Sequence, residues 1–219
     1  AAIGDADGDS DNDFLVGAPG EGPTSTSPVG GAYVFDARTG KRIFVMRGGL
    51  GADDLGLTLA GVGNLDGDTN GKAEFIIGDP SATVGGVTLG KAFVFGFPPP
   101  IPNYQEPPQS LLGSVDNAEL GSALAMGKDL QGDGPKDFIV GELRGGTNEK
   151  GSVVVYRGIS TDCTIDNPDP TLNFGFALAL IGDITTFPFT GPSEFVTGNA
   201  KLGVTSASVG KVQVYGSTS

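Results

Sequence analysis

The sequence predicts an all-β fold, a partial β-propeller of about three and a half to four four-stranded antiparallel blades, on three observations. Short phrases recur about every 60 residues, each phrase is an apolar run of strand length bounded by turn residues, and no segment carries a capped helical period.

The clearest phrase is an acid, a phenylalanine and an apolar run. It reads DFLVGAP at 13–19, EFIIGDP at 74–80, DFIVGEL at 137–143 and EFVTGNA at 194–200. Its phenylalanines, Phe14, Phe75, Phe138 and Phe195, lie 61, 63 and 57 residues apart. Upstream of three of them stands a second phrase, LGLTLAGVGNL from Leu55, LGSALAMGKDL from Leu120 and FGFALALIGDI from Phe174. Downstream stands a third, GGAYVFDARTG from Gly30, GKAFVFGF from Gly90, KGSVVVYRG from Lys150 and GKVQVYGS from Gly210.

Taken in chain order, the upstream phrase is the innermost strand of a unit, since its small residues suit the crowded axis where blades converge. The acid–Phe phrase and the Gly-led phrase follow as second and third strands, rich in Val, Ile, Phe and Ala between Gly, Pro, Asn and Asp. KRIFVMRG (41–48) and QSLLGSV (109–115) read as fourth, outer strands. The expected units are blade 1 at 1–50 with its first strand incomplete, blade 2 at 51–115 with a Pro-rich insertion at 97–110, blade 3 at 116–172, and blade 4 at 173–219 without a last strand. The insertion, FPPPIPNYQEPPQS, reads as a stiff, extended outer loop.

Composition narrows the function. A net charge of −13 argues against nucleic acid or an anionic membrane surface as partner, and no apolar run is long enough for a membrane-inserted helix. Histidine is absent, which removes His-based triads, bases and metal sites, and no phosphate-cradling or nucleophile-elbow motif occurs, so the chain reads as non-enzymatic. Cys163 is the only cysteine; no internal disulfide is possible, and its plainest role is a half-buried small side chain. The chain begins at Ala1 without initiator Met or signal peptide, as a mature or trimmed piece of something longer does.

Between the first and second phrases lie loops crowded with oxygen donors. The first carries Asp5, Asp7, Asp9, Asp11 and Asp13; the second Asp66, Asp68, Asn70, Lys72 and Glu74; the third Asp129, Gln131, Asp133, Pro135 and Asp137. Oxygen-bearing side chains fall at loop positions 1, 3, 5 and 9, and position 7 offers its main-chain carbonyl, which is why Lys72 and Pro135 are compatible there. Such alternation wraps one Ca²⁺, a hard cation taking six to eight oxygens, and predicts about three ions. An EF-hand is excluded, because position 12 holds Val16, Ile77 and Val140 and a strand follows each loop. The fourth loop, from Asp183 to Glu194, places Phe187, Pro188 and Phe189 where the oxygens should alternate, and no calcium is expected there.

The Phe/Leu-Gly pairs at 55–56, 120–121 and 174–175, the DxDxD-type loops and Gly17-Ala18-Pro19 resemble FG-GAP repeats, the blades of integrin α-subunit propellers. The resemblance spans nearly the whole chain, although the GAP phrase decays to Gly78-Asp79-Pro80, Gly141-Glu142-Leu143 and Gly198-Asn199-Ala200. It implies a propeller with calcium in loops on one face, working outside the cell or on its surface as an adhesive or structural module for protein–protein interaction. Propellers of that family close with seven blades, so a larger parent, a protein partner or a second copy is expected to complete this one, with strand addition at the open edges. Two rivals are an accessory propeller domain of a secreted, phospholipase-like hydrolase and a lectin; the absence of Trp weighs against the second.

Overall fold

The computed structural model describes residues 1–22, 29–49, 54–63, 65, 72–96, 109–128, 136–147, 149–157, 160–168, 173–182, 194–200 and 211–215. These residues hold seventeen strands and no helix. Four antiparallel sheets follow one another along the chain, in a propeller-like arrangement.

Sheet I runs β1 (Ala2–Gly4), β2 (Asp13–Gly17), β3 (Gly31–Asp36) and β4 (Arg42–Arg47), in that order. Sheet II is formed by β5 (Thr58–Gly63), β6 (Glu74–Asp79), β9 (Lys91–Phe95) and β10 (Gln109–Leu112), with a small separate hairpin, β7 (Thr83–Val84) and β8 (Val87–Thr88), between its second and third strands. Sheet III holds β11 (Leu120–Lys128), β12 (Asp137–Glu142), β13 (Ser152–Arg157) and β14 (Ser160–Asp166). Sheet IV, among the described residues, has β15 (Asn173–Gly182), β16 (Glu194–Ala200) and β17 (Lys211–Tyr215).

Strand burial follows position in the row. β6 and β12 are buried at every residue, whereas β2 alternates buried Asp13 and Leu15 with exposed Phe14 and Val16. A strand covered on both faces needs an unbroken apolar run, and a strand covered on one face needs only alternation. Three clusters fill the spaces between successive sheets. Leu15, Ala32 and Val34 of sheet I meet Leu55, Phe75 and Ile77 of sheet II. Ile76, Ala92 and Val94 of sheet II meet Leu120, Phe138 and Val140 of sheet III. Ile139, Val153 and Val155 of sheet III meet Phe174 and Phe195 of sheet IV.

At each of these junctions the backbones touch. A Cβ on Gly17 would lie 2.0 Å from the carbonyl oxygen of Gly56, one on Gly78 2.5 Å from that of Gly121, and one on Gly141 2.3 Å from that of Gly175. Only glycine permits such an approach. The Phe/Leu-Gly and GAP phrases are therefore the two halves of one inter-sheet contact.

Cys163 is exposed on the outer strand β14, not half-buried as its small size led us to expect. On that outermost strand of sheet III it pairs with Val155. Of the Pro-rich insertion, 97–108 lies outside the described residues, and Gln109 and Ser110 open β10.

Candidate metal centre

Each innermost strand ends in the same irregularity. A register shift two residues before its end leaves Gly4 opposite Asp13, Gly63 opposite Glu74, Lys128 opposite Asp137, and Gly182 opposite Glu194. This bulge accommodates an extra residue and bends the strand into its loop. It also fixes which loop residues correspond. Asp5 follows Gly4, so its counterparts by pairing register are Asn64, Asp129 and Asp183.

For the third loop this agrees with the spacing in the sequence. For the second, Gly63 precedes Glu74 by two residues more than Gly4 precedes Asp13, so a count along the chain from the bulge begins that loop at Asn64, which lies outside the described residues. A shared hydrogen bond supports that count. Ala6 N donates to Asp13 Oδ2 at 2.8 Å, and Leu65 N donates to Glu74 Oε2, from the residue after Asp5 in one case and after Asn64 in the other. Ala6 and Leu65 are both buried.

The first loop, described throughout, folds around its own carboxylates. Gly8 N and Ser10 N donate to Asp5 Oδ1 and Oδ2 at 2.6 and 2.8 Å, Asp9 N to Asp7 Oδ1 at 3.1 Å, and Asp11 N to Asp9 Oδ1 at 2.9 Å. Gly8 and Ser10 adopt positive φ, +91° and +75°, which curls the loop inward. As a result, carboxylate oxygens of Asp5, Asp7 and Asp13 lie within 4.8 Å of one another. At that separation each pair of like charges repels by about 1 kcal/mol even in water.

Asp13 is the centre's deepest member. It is 2% exposed, its Oδ2 is held by Ala6 N, and its Oδ1 has no hydrogen-bond partner. Burial pushes its carboxyl above the ordinary range, the Asp7 and Asp5 charges add to the push, and the backbone N–H groups of Ala6 and Asp7 oppose it. An unsatisfied buried oxygen beside two further carboxylates is a poor arrangement by itself and a good one around a hard divalent cation.

Asp9 and Asp11 turn the other way. Arg38, in the β3–β4 turn, pairs with Asp9 Oδ2 at 3.2 Å and with Asp11 Oδ2. That turn is held by Asp36, whose Oδ1 accepts from Arg38 N and Thr39 N at 2.8 and 3.0 Å and whose Oδ2 accepts from the Thr39 hydroxyl. The Thr39 hydroxyl, ahead of the backbone donors, holds the Asp36 carboxyl below the usual carboxylate range. Nothing in loop spacing pointed to Arg38, which reaches the site only because β3 pairs with β2.

The neighbouring sheet closes the other side. Ala73 N donates to the Asp5 carbonyl at 2.7 Å, and the Lys72 side chain passes over Gly8, its Cε 3.0 Å from where a Cβ would be. Lys72 thus lies against the first loop as well as within the second. Glu74 and Asp137, the counterparts of Asp13, are 3% and 0% exposed. Asp66, Asp68, Asn70, Asp129, Gln131, Asp133 and Pro135 lie outside the described residues, as does the fourth loop from Asp183 to Ser193.

A second buried acid joins sheets II and III. Glu142, fully buried at the end of β12, accepts from Ser114 N at 2.8 Å, Ser114 Oγ at 3.0 Å and Ser152 Oγ at 2.5 Å. With all three donors in place it is a structural tie. The decay of the GAP phrase at this position supplies that tie.

No family model matches the chain. It is similar to human integrin alpha-IIb, with 30% identity over 197 aligned residues that cover 84% of this chain. The chain spans 18% of the length of that relative.

Proposed function

We propose that the chain is a calcium-stabilised, integrin α-like propeller module that acts through protein–protein contacts, outside the cell or at its surface, and performs no catalysis of its own. The observation that carries the metal half of this reading is the buried, unpartnered Oδ1 of Asp13 within 4.8 Å of the Asp5 and Asp7 carboxylates. Likeness to an integrin α chain supports the adhesive half.

In the first loop Asp5, Asp7 and Asp13 supply side-chain oxygens as they stand, Asp9 joins them on metal binding by leaving Arg38, and residue 11 gives its carbonyl. The second loop offers Asp66, Asp68, Asn70, Glu74 and the Lys72 carbonyl by spacing, or Asn64, Asp66, Asp68 and Glu74 counted from the bulge. The third offers Asp129, Gln131, Asp133, Asp137 and the Pro135 carbonyl. The cation's part is to neutralise loops that otherwise repel, and to hold the bulged end of each innermost strand against the strand that follows. The four sheets correspond on this reading to blades at 1–50, 51–115, 116–172 and 173–219.

Calorimetric titration with Ca²⁺, alongside thermal melts with calcium and with chelator, tests the reading. Affinity of the open, extracellular kind, about 10⁻⁴–10⁻³ M, gives a melting temperature that rises through millimolar calcium. Asp13→Asn is expected to remove about one of three ions' worth of that rise. A melting temperature indifferent to calcium and chelator overturns the metal reading.

A further inference from the structure

We propose that the outer face of sheet I and the outer face of sheet IV dock on each other between copies of this chain, head to tail. This names the partner left open above as a second copy, and it stands whether or not the loops carry metal.

All four sheets carry the same stacked aromatic pair. The rings lie 5.4 Å apart in Phe14–Phe35, 5.0 Å in Phe75–Phe95, 4.9 Å in Phe138–Tyr156 and 5.3 Å in Phe195–Tyr215, each nearly parallel. In sheets II, III and IV the preceding sheet covers the pair, leaving Phe75 and Phe138 wholly buried and Phe195 5% exposed. The cover is always an aliphatic set: Leu15 and Val34, then Ile76 and Val94, then Ile139 and Val155, cross-strand partners in every case. The chain thus contains three examples of one interface, an aromatic face received by an aliphatic one.

Each end of the row presents half of a fourth. On sheet I, Phe14 is 38% and Val16 41% exposed. On sheet IV, Val196 pairs with Val214 and Gly198 with Val212, at the positions of the aliphatic covers, and Val214 and Val212 are 53% and 71% exposed. Both faces are apolar, and they are opposite in kind.

Gly198 is a separate indication. Its counterparts Gly17, Gly78 and Gly141 are glycine because the next sheet's carbonyl lies where a Cβ would be. Among the described residues, a Cβ on Gly198 would meet only Ala177, at 3.4 Å and beyond. Among the described residues no close approach requires a glycine there, and one is supplied when the aromatic face of another copy packs against it. Such a contact is heterologous, and it closes into a ring if its rotation allows and otherwise extends. Because both copies are strongly acidic, association strengthens as salt screens them.

Sedimentation and light scattering of the whole chain over a concentration series, with calcium and with chelator, test the proposal. The wild type is expected to form dimers or longer head-to-tail oligomers. Phe14→Asp and Val214→Asp, both at exposed positions, are each expected to leave circular dichroism and melting unchanged and to reduce association strongly. Mixing the two variants is expected to restore a one-to-one complex, since one keeps the aliphatic face and the other the aromatic face. A wild type monomeric at every concentration overturns the proposal, as does association that neither substitution weakens. Calcium dependence is read separately in the melts, so failure here leaves the metal reading standing.

Discussion

Phe14–Phe35 in sheet I and Phe75–Phe95 in sheet II are the same stacked pair in two surroundings. Strand register makes both, since residue 14 pairs with 35 and residue 75 with 95. Yet Phe75 is wholly buried and Phe14 is 38% exposed. What a ring is worth is set by the neighbouring sheet, and the local sequence that builds the pair has no part in it. Substitutions that remove matching groups from an inner junction and from an open face measure that difference.

Phe75→Ala is expected to have the largest effect, a loss of about 3–5 kcal/mol, because it removes a buried ring and leaves a cavity. Phe14→Ala is expected to lose less than about 1 kcal/mol in dilute monomer, as exposed substitutions do. Urea denaturation of the two variants decides the matter, and equal losses would break the comparison. Gly121→Ala comes next. Gly121 has φ +93°, and an added Cβ would lie 2.4 Å from the Lys91 carbonyl oxygen at the sheet II–III junction, so roughly 3 kcal/mol of strain and overlap is expected. Gly40, with φ +68° and open space around it, is its control, and Gly40→Ala is expected to lose only about 1–2 kcal/mol, the left-handed strain alone.

Glu142→Gln follows, at about 1–3 kcal/mol, since the amide takes the place of a buried carboxylate that accepts three hydrogen bonds. Glu21→Gln, at an acid paired with the exposed Arg47, is expected to lose less than Glu142→Gln, because solvent screens the pair. The smallest effect near neutral pH belongs to Tyr156. Burial pushes its phenol up to about 12. Below the ordinary value of about 10 both folded and unfolded states keep the proton and stability is intact. Above it the unfolded chain releases the proton first, so stability falls by about 1.4 kcal/mol per pH unit until the folded phenol titrates. Alkaline melts of Tyr156→Phe are expected to lack that fall.

In the candidate centre, the legible part was chemical: alternating carboxylates in a tight loop before a strand. The length of the second loop relative to the bulge was not legible, because spacing counted back from Glu74 does not show where the innermost strand ends. The bulge sets Gly63 opposite Glu74 as Gly4 is set opposite Asp13, and a count from it starts that loop at Asn64, beside the spacing count that starts it at Asp66. Arg38 was equally hidden, reaching Asp9 and Asp11 from a turn 27 to 29 residues away through strand pairing.

The amino-acid sequence by itself determined the strands, their order within each unit, the recurring glycines and the acidic loops. These follow from short-range properties: β-branched and aromatic runs favour extended chain, and Gly and Asp favour turns, whatever lies beyond. Tertiary structure alone decided which face of each sheet is covered, which carboxylate is left buried with an unpartnered oxygen, and that the Phe/Leu-Gly and GAP glycines meet across sheets. Burial and close approach belong to pairs of surfaces, and a residue's own neighbours along the chain do not carry that information.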